Sequence, residues 1–189
     1  MKKLKFTDLL ITIMLGVVFG ITMKFWDDLY TVIKPMLPVA RQLIYGMWFM
    51  VGVFAMLLIR KPGAALLSSI AAAGLSAFIG HGIEVLIYGF MQGLGAELLF
   101  AAFRYKRFGI IVAGLAGVAS CVASFLLDMF YGYANLEAWA LIVKYGLRVI
   151  SAFLFTGVFA YFIVRALEAT GVTNLIRPVA KEEYTALDE

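Results

Sequence analysis

The chain has 189 residues, of which 63% are hydrophobic and only 15% charged, with a mean hydropathy of +0.96. A water-soluble domain carries about 25% charged residues, so a surface of ordinary polarity is excluded and the composition is that of a membrane protein. The net charge of +4 and pI of 9.2 do not point to nucleic acid, because the basic residues lie between long apolar stretches, where membrane topology accounts for them. The single cysteine, Cys121, has no partner for a disulfide within the chain and says nothing of redox compartment.

Crossing about 30 Å of hydrocarbon at 1.5 Å per residue takes about 20 helical residues, and six stretches come near that length. The first, Asp8 to Phe25, follows Lys2, Lys3 and Lys5 and runs into Lys24-Phe25-Trp26-Asp27-Asp28 without a small-x-small cleavage site. It reads as a retained anchor. It carries Gly16 and Gly20 in a GxxxG pattern, which permits close approach of another helix, within the bundle or from a partner. The second runs from Val39 to Ile59, with Tyr45, Gly46, Trp48 and Phe49 in one half. The third, Gly63 to Gly80, is short and rich in small residues. His81-Gly82 separates it from the fourth, Ile83 to Phe103. The fifth spans Phe108 to Phe130 and the sixth Trp139 to Arg165. The polar residues from 171 to 189 read as a tail. The prediction is an all-α integral membrane bundle of six transmembrane helices in one domain.

Charge sets the expected orientation. Lys2, Lys3, Lys5, Arg60, Lys61, Arg104, Lys106, Arg107, Arg165, Arg177 and Lys181 fall on one side of such a bundle. Lys24, Lys34 and Arg41 fall on the other, partly offset by Asp27, Asp28 and Glu137. The positive-inside rule then puts both termini and the tail in the cytoplasm and makes this a multi-pass plasma-membrane protein. The outer side collects Trp26, Tyr30, Tyr131, Tyr133 and Trp139.

No Walker, GxSxG or HExxH motif is present, and His81 is the only histidine. Nothing suggests an enzyme, a metal centre or a cofactor. His81 reads as a turn residue near the outer interface, with ligand contact as the alternative. The informative residues are polar groups inside apolar segments, because a charge near the bilayer centre costs about 3 kcal/mol or more and faces a protein interior or a wet cavity. They are Glu84, Gln92, Glu97, Asp128, Lys144 and Arg148. Helical spacing places Glu84, Tyr88, Met91, Gln92 and Gly95 on one face, a plausible binding wall. Glu97 points about 220° away from Glu84 at 100° per residue, toward an expected basic partner. Asp128 and Arg148 have the depth to form an ion pair. For Glu97, Asp128 and Arg148 a purely structural salt-bridge network is the competing reading.

Tyr45, Trp48, Trp26, Tyr131, Tyr133, Trp139 and Tyr145 make an unusual outer stock of rings. An interfacial belt is one reading. An aromatic pocket for a flat, partly cationic heteroaromatic ligand is the other.

The segments Tyr45-Gly-Met-Trp-Phe49, Arg60-Lys-Pro-Gly-Ala-Ala65, Gln92-Gly-Leu-Gly-Ala-Glu97 and Val122-Ala-Ser-Phe125 with Asp128 resemble the YkoE family in order and spacing, over about residues 6 to 175. That family comprises substrate-binding S components of energy-coupling factor (ECF) transporters, linked to thiamin and its hydroxymethylpyrimidine (HMP) moiety. The resemblance implies capture of a vitamin from outside, with a transmembrane coupling subunit and two cytoplasmic ATPases as partners. It implies a pocket near the outer face holding Trp26, Glu84, Tyr88, Gln92, Asp128, Tyr131, Trp139, Tyr145 and Arg148, joined by Tyr45 and Trp48. Glu84 is the first-choice carboxylate for the ligand. Gly16 and Gly20 have the spacing of the small residues that meet the coupling subunit. A phosphorylated ligand needs more positive charge than Arg148 and Lys144 supply, which favours the unphosphorylated form. A stand-alone carrier driven by a proton gradient and a membrane scaffold without a small ligand are the rival readings.

Overall fold

Met47–Ile59 contains no charged residue and is apolar on every face. A helix of that kind is buried on all sides, and this one is the centre of the bundle. Of its span, 78% is buried inside the protein, against 28% for the first span. The structure is a computed structural model that describes residues 4–36, 40–131 and 137–175. Lys2, Lys3, Val39, Tyr133, Arg177, Lys181 and the tail from residue 176 onward lie outside the described residues.

The elements in chain order are α1 (Phe6–Ile33), a 3-10 segment (Ala40–Ile44), α2 (Met47–Ile59), α3 (Ala64–Ser76) with a π-helical extension (Ala77–His81), α4 (Glu84–Ala102), α5 (Ile110–Phe130), α6 (Ala138–Phe153), a π-helical turn (Leu154–Phe159) and α7 (Ala160–Ala169). The last three run on as one 32-residue span, so six helices are long and apolar enough to cross a membrane. Two differences from the sequence reading bear on function. The first helix continues past Phe25 to Ile33, and along it Lys24 and Asp28 pair one turn apart, 2.9 Å between Nζ and Oδ1, so that these charges lie within the helix and do not end it. The second span opens as a 3-10 segment and a turn at Tyr45-Gly46.

Small residues set the packing of α3. Ala64, Ala65, Ser68, Ser69, Ala72 and Ala73 are buried, and α1 and α4 close on them with glycines. A Cβ on Gly16 would lie 2.5 Å from Ala71 Cβ, and one on Gly20 would lie 3.0 Å from Ala72 O. Gly16 and Gly20 are therefore engaged by α3, inside the bundle. This is the close approach within the bundle that the GxxxG spacing permits: their lack of a side chain is used in the α1–α3 contact.

One end of the bundle is tied by charge. Lys61 donates to Asp8, and Arg60 Nη2 lies 3.1 Å from Glu168 Oε1. Among the described residues no basic side chain pairs with Glu97, where a basic partner is expected from the sequence. Its carboxylate accepts the backbone N–H groups of Gly63 at 2.6 Å, Ala65 at 3.1 Å and Leu66 at 3.3 Å, and the Tyr105 hydroxyl at 2.9 Å. A carboxylate on the open N–H groups of a helix start is favoured by both hydrogen bonding and the helix dipole. Burial and the neighbouring Glu97 carboxylate push the Tyr105 hydroxyl up to about 12. At the other end, the α3–α4 reversal uses glycines at φ 113° (Gly80) and 84° (Gly82), a left-handed conformation that other residues avoid.

Candidate functional site

The end opposite the Glu97 network encloses a cavity of about 700 Å³, within the range of small-molecule sites. Every span contributes to its wall. From α1 come Met23, Asp27, Tyr30, Thr31 and Lys34, and from the 3-10 segment Arg41 and Gln42. Tyr45, Trp48 and Val51 follow, then Ser69, Ala73, Ser76 and His81, then Val85, Tyr88, Gly89 and Gln92. Asp128, Trp139, Ala140, Val143, Lys144 and Arg148 complete it.

Asp128 organises one side. It is 3% exposed and draws three helices together. Tyr88 of α4 donates to Oδ1 at 2.8 Å, while Arg148 Nη1 of α6 lies 2.8 Å from Oδ2. Tyr145 also donates to Oδ2, and Lys144 Nζ stands 3.7 Å from it. Arg148, 4% exposed, donates through Nε to Gln42 Oε1 at 2.6 Å and lies over the Tyr45 ring, 3.7 Å from its centroid. Gln42 Nε2 donates to the Tyr30 hydroxyl at 3.3 Å. The expected Asp128–Arg148 pair is thus present, as part of a network that both cross-links helices and forms cavity wall.

An aromatic corner faces it. Tyr30, Tyr45 and Trp48 meet with ring centroids 5.9, 5.3 and 5.0 Å apart, distances at which rings attract one another. Gln92 completes a polar edge, with Nε2 3.5 Å from Ser124 Oγ. Ser120 donates to Gln92 O at 2.7 Å and fixes α4 against α5. At the α3–α4 reversal, His81 has Nδ1 3.2 Å from Ser76 O and Nε2 3.2 Å from Asp27 Oδ2, so it joins the reversal to α1 across the wall.

Of the sequence-predicted residues, Tyr45, Trp48, Tyr88, Gln92, Asp128, Trp139 and Arg148 line the cavity. Tyr145 stands behind it, holding Asp128 and packing edge-on against Phe125 at 4.5 Å. Trp26, Glu84 and Tyr131 are outside the lining. Trp26 donates to Ile44 O at 2.8 Å and packs on Phe155, anchoring the 3-10 segment to α1. Tyr131 stacks on Tyr88 at 5.9 Å but is 53% exposed. Glu84 is exposed at the first position of α4, where a carboxylate complements the helix dipole. Face arithmetic aligned it with Tyr88 and Gln92 but could not say that it lies past the packed part of the helix.

Asp27, Tyr30, Lys34, Arg41 and Gln42 were not singled out as ligand candidates by the sequence. Gln42 carried a usable signal, an amide in an apolar run as at Gln92. Asp27 and Lys34 were hidden by the early end assigned to the first helix. The wall therefore holds the carboxylates Asp27 and Asp128 and the cations Lys34, Arg41, Lys144 and Arg148. By formal charge its Lys and Arg residues outnumber its carboxylates.

Residues 7–123 match the family described as "ABC-type cobalt transport system, permease component". The chain is 39% identical over 178 residues to YkoE of Bacillus subtilis (strain 168), covering 92% of this chain and 89% of that protein, whose name describes an HMP/thiamine permease. It also superimposes on a solved structure described as the crystal structure of an S-component of ECF transporter. There the TM-score is 0.88 and the identity 37%, over 93% of this chain and 91% of the other. With six apolar spans around a cavity and relatedness along nearly its whole length, the chain belongs to the YkoE family, multi-pass plasma-membrane S components of energy-coupling factor transporters.

Proposed function

We propose that this S component captures thiamin or its HMP precursor from outside the cell. The observation that carries the reading is the cavity of about 700 Å³ that brings an aromatic corner and hydrogen-bonding amides together at one end of the bundle. Tyr30, Tyr45, Trp48 and Trp139 offer faces for flat rings. Gln92 and Asp27 offer acceptors to an aminopyrimidine edge, the role first expected of Glu84. The basic residues Lys5, Arg60, Lys61, Arg104, Lys106 and Arg107 gather at the opposite end, which supports an outward-facing cavity and cytoplasmic termini.

Release inward is driven by a transmembrane coupling subunit and cytoplasmic ATPases, and this chain performs no chemistry of its own. The cobalt in the family description is a poorer fit to the wall. Among the described residues no three His, Cys, Asp or Glu side chains come together as a metal-binding group, and divalent ions need such donors. Isothermal titration of the purified protein tests the reading. Saturable binding of thiamin or HMP at micromolar concentration or tighter is expected, and no heat from either would overturn the ligand assignment.

A further inference from the structure

Two carboxylates line the cavity, Asp27 and Asp128, and they differ in the hydrogen-bonding capacity they have left. Asp128 is committed. Tyr88 donates to its Oδ1, Tyr145 and Arg148 donate to its Oδ2, and its side chain is only 4% exposed. Asp27 has one oxygen engaged, Oδ2, which lies 3.2 Å from His81 Nε2. Its Oδ1 has no hydrogen-bond partner among the described residues, and its side chain is 35% exposed. A carboxylate accepts about four hydrogen bonds through its two oxygens, so Asp27 keeps capacity for a ligand where Asp128 has little. Asp27 and Tyr30 are three residues apart on α1 and share a helix face, so a ring seated on the aromatic corner brings its edge toward Asp27. His81 also has Nδ1 3.2 Å from Ser76 O. Its imidazole is therefore held at both nitrogens and cannot turn without losing a contact.

We propose that Asp27 is the carboxylate that reads the ligand and that His81 is its positioning residue. Asp27 Oδ1 accepts a hydrogen bond from the exocyclic amino group of the aminopyrimidine, while His81 occupies Oδ2 and fixes the direction of the carboxylate. The inference rests on the ligand class proposed above and goes further by naming the group that selects it. A ring with an N–H donor at that edge is taken. A ring with an oxo group there is refused, because two acceptors then face each other with no proton between them.

The test is calorimetric titration of the purified full chain with thiamin and with oxythiamin, in which an oxo group replaces the amino group. The ratio of the two affinities is read within each sample, so partial unfolding of a variant does not distort it. The wild type is expected to bind thiamin about tenfold or more tightly than oxythiamin. In Asp27→Asn, whose amide can present either a donor or an acceptor, the ratio should fall toward one. His81→Ala should lower it about threefold, and His81→Gln, which returns an N–H donor to Asp27, should restore it. Loss of packing alone would weaken both compounds together and leave the ratio unchanged. Equal binding of the two compounds by the wild type, or an undiminished ratio in Asp27→Asn, overturns the role of Asp27. An undiminished ratio in His81→Ala, or no recovery in His81→Gln, overturns the role of His81. Thiamin capture stands in each of these cases. No binding of thiamin, oxythiamin or HMP overturns the ligand class itself.

Discussion

Asp128 and Arg148 face each other from α5 and α6, with Arg148 Nη1 2.8 Å from Asp128 Oδ2 and both residues almost wholly buried. Replacing Asp128 by Asn leaves Arg148 and Lys144 without their shared counter-ion. The expected loss is about 3–5 kcal/mol of stability, the range for breaking a buried pair from one side. Thermal unfolding in detergent reads it as a lowered midpoint. The double variant Asp128→Asn/Arg148→Gln should be more stable than Asp128→Asn alone, because it removes the stranded charge. A double variant as unstable as the sum of the two singles would mean that the pair is not coupled.

Tyr45 supports the site from the other side of Arg148, its ring centroid 3.7 Å from the guanidinium carbon. A cation over a ring contributes about 0.5–2 kcal/mol. Tyr45→Ala should weaken ligand binding about tenfold, the equivalent of some 1.4 kcal/mol, and Tyr45→Phe should restore most of it. Calorimetry on the two variants checks this, and equal loss in both would assign the effect to the hydroxyl.

The Glu97 carboxylate, at the far end of the bundle, is a structural group. Glu97→Gln sets an amide where three backbone N–H groups and Tyr105 need an acceptor. It should lower stability by about 1–3 kcal/mol with ligand affinity unchanged, measured by unfolding and titration of the same sample. Tyr105 adds a pH signature. Its hydroxyl is raised from 10.0 to about 12, so the folded state favours the neutral form. The stability difference between wild type and Tyr105→Phe should hold constant below pH 10 and shrink as pH rises toward 12.

Gly16→Leu should destabilise the bundle before it affects any partner. Even a Cβ there falls 2.5 Å from Ala71 Cβ and 2.9 Å from Ser68 O, and overpacking of this kind costs about 1–3 kcal/mol. Unfolding of the isolated protein checks it. An unchanged midpoint would mean that α1 and α3 are not packed closely at Gly16.

The spans were legible because each needs an unbroken apolar run, and the Asp128–Arg148 pair because charges in such runs are few. Tyr88 and Gln92 were found by helical spacing. Spacing fixes a face but not how far along the helix the packed part extends, so Glu84 shares the face of Tyr88 and Gln92 yet lies exposed. It also assumes a regular helix. The 3-10 segment that carries Arg41 and Gln42 to the cavity broke that assumption. The charges at Lys24, Asp27 and Asp28 looked like the end of a span, yet they sit in a helix that continues to Ile33 and brings Asp27 and Tyr30 to the wall. Gly16 and Gly20 showed that some helix approaches closely, and only the structure identifies it as α3.

A crystal structure of the protein grown with thiamin or HMP tests most directly whether the polar groups at this end surround a ligand. The predicted result is ligand density between the Tyr30–Tyr45–Trp48 corner and the Gln92 and Asp128 wall. Density elsewhere on the protein, with the cavity filled only by water, would contradict it.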